Sequence, residues 1–344
     1  MKILFVLKYR GGYTYDCDFT YSYGGYFSSG LYWSAKFVVD MLVESGVDAK
    51  LVQVVDNNDI DREVHEFRPD VVIIEALWVL PQKFDVLMKL HPTVQWIVRL
   101  HSNIPFLANE SIAVKWIKGY ARRGVRIAAN EKRAFEDFQE ILRSSFLDDR
   151  VLFLPNYYPN EEHPAPPSFF NLILNVGCYG AIRPLKNQLI QALAAIRYAD
   201  EHDKILHFHI NGTRLEQGGE SIRDNLRALF AGTAHSLIEE HWMNHEEFLT
   251  KLRYVDVAMQ VSLSETFNIV SADAVSVGVP IVVSPEVQWA NYFSKVNPTD
   301  SLDITKGIKN ALRFSHVNVR TNRANLRKYS AHSKKQWLRF LGET

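Results

Sequence analysis

The chain has 344 residues and a formal net charge of zero, with 39 lysines and arginines against 39 aspartates and glutamates. That length exceeds one ordinary core, so two domains of roughly 150 residues are expected. The charge balance excludes a global field that would draw the whole molecule to a polyanion. Cys17 and Cys178 lie far apart without metal-ligand spacing, which argues against a disulfide framework and for a reducing, cytoplasmic setting.

The N-terminus "MKILFVLKY" has an apolar run too short for a signal-peptide core and reads as a buried strand. No apolar stretch reaches the ~20 residues that a spanning helix needs. "GLYWSAKFVVDMLVESG" has helical periodicity and ends on Gly46. Next come "AKLVQVV" as a strand, "DIDREVHEF" as a helix and "PDVVIIEA" as a near-continuous apolar strand. A continuous apolar run is the mark of a parallel sheet covered on both faces. The helices "QKFDVLMKLH", "IAVKWIKGYARRG" and "EKRAFEDFQEILRSS" then alternate with the strands "VQWIVRLH", "VRIAAN" and "RVLFLPN". This rhythm predicts a doubly wound α/β domain over residues 1–158.

The proline-rich stretch around 159–169 breaks the rhythm and reads as a linker. The alternation resumes over 170–315. "NLILNVGCYG" is a strand, "NQLIQALAAIRYADEH" a helix, "ILHFHING" a strand and "SIRDNLRALFAGT" a helix. The short "HSLIEEHW" is followed by the helix "HEEFLTKLRYV", the strand "VDVAMQVS", a helix near 268–277 and the strand "PIVVS". Two doubly wound domains facing across a cleft are therefore expected. His207 and His209 alternate on a strand and receive no role. Residues 316–344 form a basic tail.

The segment "SETFNIVSADAVSVGVPIVVS", Ser264 to Ser284, carries two acids in an apolar setting. Its helix is capped at the start by Asn268 and stopped by Gly278 and Pro280. Glu265 then lies at the carboxyl end of a strand, where open α/β sheets bind ligands. Asp273 lies eight residues further on, on a helix whose N-terminus favours anions.

The pattern formed by Glu265, Phe267, Asp273, Gly278 and Pro280 resembles the signature of retaining GT-B glycosyltransferases of family 4. The resemblance runs from the first strand to about residue 285. It implies a GT-B fold, with an acceptor-binding first domain, a nucleotide-sugar-binding second domain and a last helix that packs back toward the first. It implies transfer of a sugar from a UDP- or GDP-sugar, with retention and without a metal or other cofactor. Glu265 is then expected to accept from donor-sugar hydroxyls and Asp273 from ribose hydroxyls, with Thr266, Phe267 and Asn268 beside the sugar. Asp273 stands where the family has Glu, and Thr266 and Asn268 where it has two glycines. The first exchange shortens the reach; the other two are expected to narrow the sugar site or change which sugar fits.

In "NVGCYGAIRPLKNQ" the resemblance aligns Gly180 and Lys186 with the family's diphosphate site, and Arg183 is taken to supply its arginine. A departing nucleoside diphosphate gains charge that such cations stabilise. His101 in "VRLHSN" matches a histidine that faces the donor sugar. Gly24 and Gly25 match a glycine-rich loop, in competition with Gly11 and Gly12. The same segment is rich in rings, and Tyr13, Tyr15, Tyr21 and Tyr23 are expected to contact the acceptor. "DCD" at 16–18 has the spacing of a metal motif from another glycosyltransferase fold and is read as chance.

Lys306, Lys309, Arg313, Arg320, Arg323, Arg327, Lys328, Lys334, Lys335 and Arg339 follow with no acid until Glu343. Such a run is usually a solvated face; peripheral membrane or nucleic-acid contact is the alternative. The expected acceptor is a glycan or lipid-linked glycan. The alternatives are a hydroxymethylated DNA base, as for viral DNA glycosyltransferases, or epimerisation of the nucleotide sugar itself.

Overall fold

The computed structural model describes residues 1–9, 30–161 and 172–342. Burial of continuous apolar runs on both faces produces the first sheet. Its strands are β1 (Lys2–Lys8), β2 (Asp48–Val54), β3 (Val71–Glu75), β4 (Gln95–Leu100), β5 (Arg126–Ala129) and β6 (Val151–Phe153). All neighbours pair in parallel, in the order β2-β1-β3-β4-β5-β6. The helices between them are α1 (Gly30–Glu44), α2 (Asp59–Phe67), α3 (Lys83–Leu90), α4 (Ile104–Leu107), α5 (Ala113–Arg122) and α6 (Lys132–Arg143). Only α4 lacks a counterpart in the sequence reading, because a single turn is too short to show a 3.6-residue period.

The second sheet holds β7 (Ile173–Gly177), β8 (Ile205–Asn211), β9 (Ser236–Glu240), β10 (Val257–Gln260) and β11 (Ile281–Val283). Its order is β11-β10-β7-β8-β9, again all parallel. "HSLIEEHW", which had no assigned type, forms the half-buried edge strand β9. The connecting helices are α7 (Gln188–Glu201), α8 (Gly219–Phe230), α9 (His245–Leu252) and α10 (Ile269–Ser276). Two more follow, α11 (Ser301–Arg313) and α12 (Ser315–Gly342).

The chain divides into two compact units, Met1–Pro159 with Ser330–Thr344, and Asn160–Tyr329. Each sheet reverses its strand order at one point, between β1 and β3 in the first unit and between β7 and β10 in the second. Loops leaving a sheet on either side of such a point diverge and open a crevice at the strands' carboxyl ends. The expected linker falls mostly outside the described residues. Among the described residues no helix is long and apolar enough to cross a membrane.

Helix α12 buries Asn322, Leu326, Ser330, Ser333, Trp337 and Phe340. Asn318 bonds both backbone groups of Ile281 at 3.0 Å, and Asn322 accepts from Asn291 N at 2.7 Å, both within the second unit. In the first unit Trp337, fully buried, donates from Nε1 to Pro155 O at 2.8 Å. Arg320, Lys328 and Lys335 lie on its exposed face.

Candidate active site

Two loops converge at the reversal point of the second sheet. One follows β7 and carries Gly180, Arg183 and Lys186; the other follows β10 and carries Glu265. Gly180 adopts φ +108°, open to glycine but strained for other residues, and its N–H donates to Asn211 Oδ1 at 2.7 Å. The loops are stitched together by Leu263 N to Leu185 O at 2.9 Å and by buried amides. Gln191 donates to Lys186 O and accepts from Val261 N, both at 2.9 Å. Asn187 donates to Val261 O at 3.1 Å.

This stitching brings the Lys186 ammonium onto the Glu265 carboxylate. The same carboxylate oxygen accepts from Ser262 Oγ at 2.9 Å. Burial alone would push the Glu265 carboxyl up; the Lys186 and Arg183 charges and the two hydrogen bonds outweigh it and hold the group below its ordinary value. Arg183 pairs with Glu216 at 3.2 Å, and Arg214 holds the other Glu216 oxygen at 2.7 Å. A buried carboxylate thus stands beside two cations at the mouth of a parallel sheet.

Asn268 has φ +57°, ψ +84°, a left-handed conformation that glycine and asparagine tolerate best. This backbone geometry accounts for asparagine where the family has glycine. Its Oδ1 accepts from Ser271 N at 2.8 Å, the expected N-cap, and its Nδ2 donates to Gln260 Oε1 at 3.0 Å. Both amide atoms are therefore engaged within the protein. Gly278, at φ +85°, ends α10 as expected. Thr266 is half-buried. Phe267 packs its ring on Tyr329, with centroids 5.2 Å apart, while its carbonyl accepts from Trp289 Nε1 at 2.7 Å.

Asp273 is buried, and its Oδ1 lies 2.8 Å from Nε2 of His245, in the first turn of α9. The sequence reading passed over His245, because its partner is 28 residues away and no local pattern marks the pair.

The first unit holds a second polar cluster, at the ends of β3 and β4. Glu75 and Arg99 are fully buried. Arg99 reaches both Glu75 oxygens at 3.1 and 3.2 Å, Leu154 O at 3.0 Å and Asn156 Oδ1 at 2.5 Å. His101 Nε2 contacts Glu75 Oε2, and Asn130 Nδ2 lies 3.4 Å from its Nδ1. Burial would raise the Glu75 carboxyl, but the Arg99 and His101 partners hold it low. Burial, helped by the Arg99 charge, lowers the His101 pKa against the pull of Glu75. An ionised carboxylate only accepts, so the Glu75 contact calls for a proton on His101 Nε2. Of these residues the sequence reading named His101 alone. The remaining signal was a pair of charges, Glu75 and Arg99, inside otherwise apolar strands.

Tyr13, Tyr15, Tyr21, Tyr23, Gly24, Gly25, the Gly11–Gly12 pair and the 16–18 "DCD" lie outside the described residues. Among the described residues no three His, Cys, Asp or Glu side chains gather as metal ligands. In the basic tail Arg323 is not a surface charge. It donates to Val275 O and Ser276 O, both at 2.9 Å, capping the carboxyl end of α10.

A family described as "Family 4 Glycosyltransferase in conflict systems" matches residues 132–321, more than half of the chain and the whole of the β7 and β10 loops. The chain belongs to this glycosyltransferase family. No curated protein matches the glycosyltransferase. Among solved structures it is similar to a trehalose-6-phosphate synthase studied with bisubstrate glycomimetics for glycosyl transfer with retention. That likeness has 13% identity and a TM-score of 0.65, over 83% of this chain and 77% of that one. The E. coli trehalose-6-phosphate structure bound with UDP-2-fluoro glucose is 12% identical, TM-score 0.69, over 99% of this chain and 98% of that one. The sucrose-phosphate synthase of Thermosynechococcus elongatus is 11% identical, TM-score 0.63, over 100% and 99%. These likenesses establish the GT-B fold for the glycosyltransferase.

Proposed function

We propose that this glycosyltransferase moves a sugar, with retention, from a nucleotide diphosphate sugar to a hydroxyl of a glycan-type acceptor. One observation carries the reading: Lys186 meets Glu265 at the reversal point of the second sheet, with Arg183 on the same loop as Lys186. Lys186 and Arg183 stabilise the charge that grows on the departing diphosphate. Glu265, kept ionised by those same cations, accepts from the hydroxyls of the donor sugar. Asp273 accepts from the ribose hydroxyls, with its carboxylate oriented by His245. The similar structures that bind UDP-2-fluoro glucose or are studied for transfer with retention support a UDP-type donor and a retained anomer. Front-face displacement, assisted by the leaving diphosphate, fits a site in which Glu265 is occupied by Lys186 and Ser262 rather than poised as a nucleophile.

The test begins with a thermal-shift screen of UDP- and GDP-sugars. Labelled donor is then offered sugar phosphates, glycans and hydroxymethylated duplex DNA, and the product anomer is determined. Transfer that survives EDTA and retains configuration is expected. An epimerised donor formed without acceptor, or an inverted product, refutes the proposal. Among the described residues, the DNA reading draws on the exposed cations Arg320, Lys328 and Lys335 on a helix without acids. Modified duplex that neither binds nor accepts label at low salt eliminates it.

A further inference from the structure

Strand β10 reads "VAMQ", and its last residue is a glutamine only 2% exposed. A carboxamide buried in a parallel sheet is costly unless its donor and acceptor are both engaged. Gln260 meets that condition through three separate parts of the site. Its Nε2 donates to Tyr179 O at 2.8 Å. Its Oε1 faces Lys186 Nζ at 3.4 Å and accepts from Asn268 Nδ2 at 3.0 Å. The peptide that joins Tyr179 to Gly180 is therefore pinned on both sides, its carbonyl by Gln260 and its N–H by Asn211. The donation to Tyr179 O also fixes which way the amide points, so that its oxygen faces the ammonium.

We infer that Gln260 is a positioning residue for the donor diphosphate, working as a unit with Asn268. It holds the Tyr179–Gly180 peptide in the turn that follows β7. It gives Lys186 a neutral acceptor that competes with Glu265, so the ammonium is not committed to the carboxylate alone. It ties both to Asn268 at the start of α10. Asparagine meets the left-handed backbone need at 268 and adds the amide that saturates the second lone pair of Gln260 Oε1. The inference rests on the proposed donor reading and adds to it a residue that need not touch the donor.

The test measures UDP, GDP, uridine and guanosine binding to the full chain by calorimetry and ligand-observed NMR, with melting as a control. The variants are Gln260→Met, Asn268→Gly and the pair together. Met matches the shape of Gln without its bonds; Gly keeps the left-handed backbone while removing the amide. Gln260→Met is expected to bind the diphosphate about tenfold more weakly, the scale of one lost hydrogen bond to a charged group. Nucleoside binding should stay unchanged. Asn268→Gly should show a smaller loss of the same kind, and the double variant should be no worse than Gln260→Met, because the two share one contact. Equal losses for nucleoside and diphosphate would mean a purely structural role and overturn the inference, as would wild-type diphosphate binding by both single variants. If Gln260→Met does not fold, Asn268→Gly alone decides on the same two criteria. If the wild-type protein binds neither UDP nor GDP, the donor reading itself fails, a result distinct from a silent variant of a binding-competent protein.

Discussion

Replacing Glu265 by Gln keeps the shape of the side chain and removes its charge. In the structure the carboxylate meets the Lys186 ammonium and Ser262 Oγ, and the Lys186 and Glu265 side chains are only 12% and 8% exposed. Two effects therefore separate. The first concerns the sugar: a carboxylate accepting from sugar hydroxyls forms charge-assisted bonds, each worth about 1.5–3 kcal/mol. Loss of that interaction where it matters for transfer predicts a fall in kcat of about 10²–10³-fold, the scale seen when one preorganised polar group is removed from an active site. The second concerns the diphosphate. Lys186 loses its counter-charge, so its attraction for an anion is no longer offset, and UDP or GDP should bind as well as before or more tightly. The assay pairs steady-state transfer with calorimetric titration of the nucleoside diphosphate. If diphosphate affinity falls by the same factor as turnover, Glu265 serves the nucleotide and the assignment to the sugar is wrong.

Asp273→Ala should act in the opposite sense, weakening UDP or GDP by about 1.5–3 kcal/mol, while His245→Gln should show a milder loss; unchanged titrations for Asp273→Ala would refute the ribose role. Arg99→Met leaves Glu75 fully buried without its cation and should cost about 3–5 kcal/mol in urea unfolding. The double change Arg99→Met with Glu75→Gln should recover part of that, and an Arg99→Met protein within about 1 kcal/mol of wild type would show that the pair contributes little. His101 and His209 are both lowered by burial from the ordinary 6.5, so the unfolded chain binds their protons first as pH falls. Stability should decline on going from pH 7.5 to 5.5, by up to ~1.4 kcal/mol per histidine per pH unit. Below that window the depressed Glu75 and Glu265 lose their contribution as pH falls through their folded values. A flat unfolding free energy across pH 7.5 to 5.5 would contradict the lowering of these two histidines by burial.

The sequence by itself determined what depends on neighbours along the chain. Periodicity separated strands from helices, and uninterrupted runs such as "VVII" in β3 announced a parallel sheet covered on both faces. Asn268 and Gly278 marked the ends of α10, because caps are made by residues within a turn of the backbone they serve. The family pattern then named Lys186, Arg183 and Glu265 as one set. Only the tertiary structure decided which side chains meet. Lys186 and Glu265 are 79 residues apart, Gln260 and Tyr179 81, and Arg99 and Asn156 57. Such pairs follow from strand order, and strand order is a property of the folded sheet that no local spacing records. Gln260 and Glu75 each looked like a lone polar residue in an apolar strand, and Arg323 like one more surface charge. Their partners explain them, since a buried polar group persists only where another element arrives to bond it.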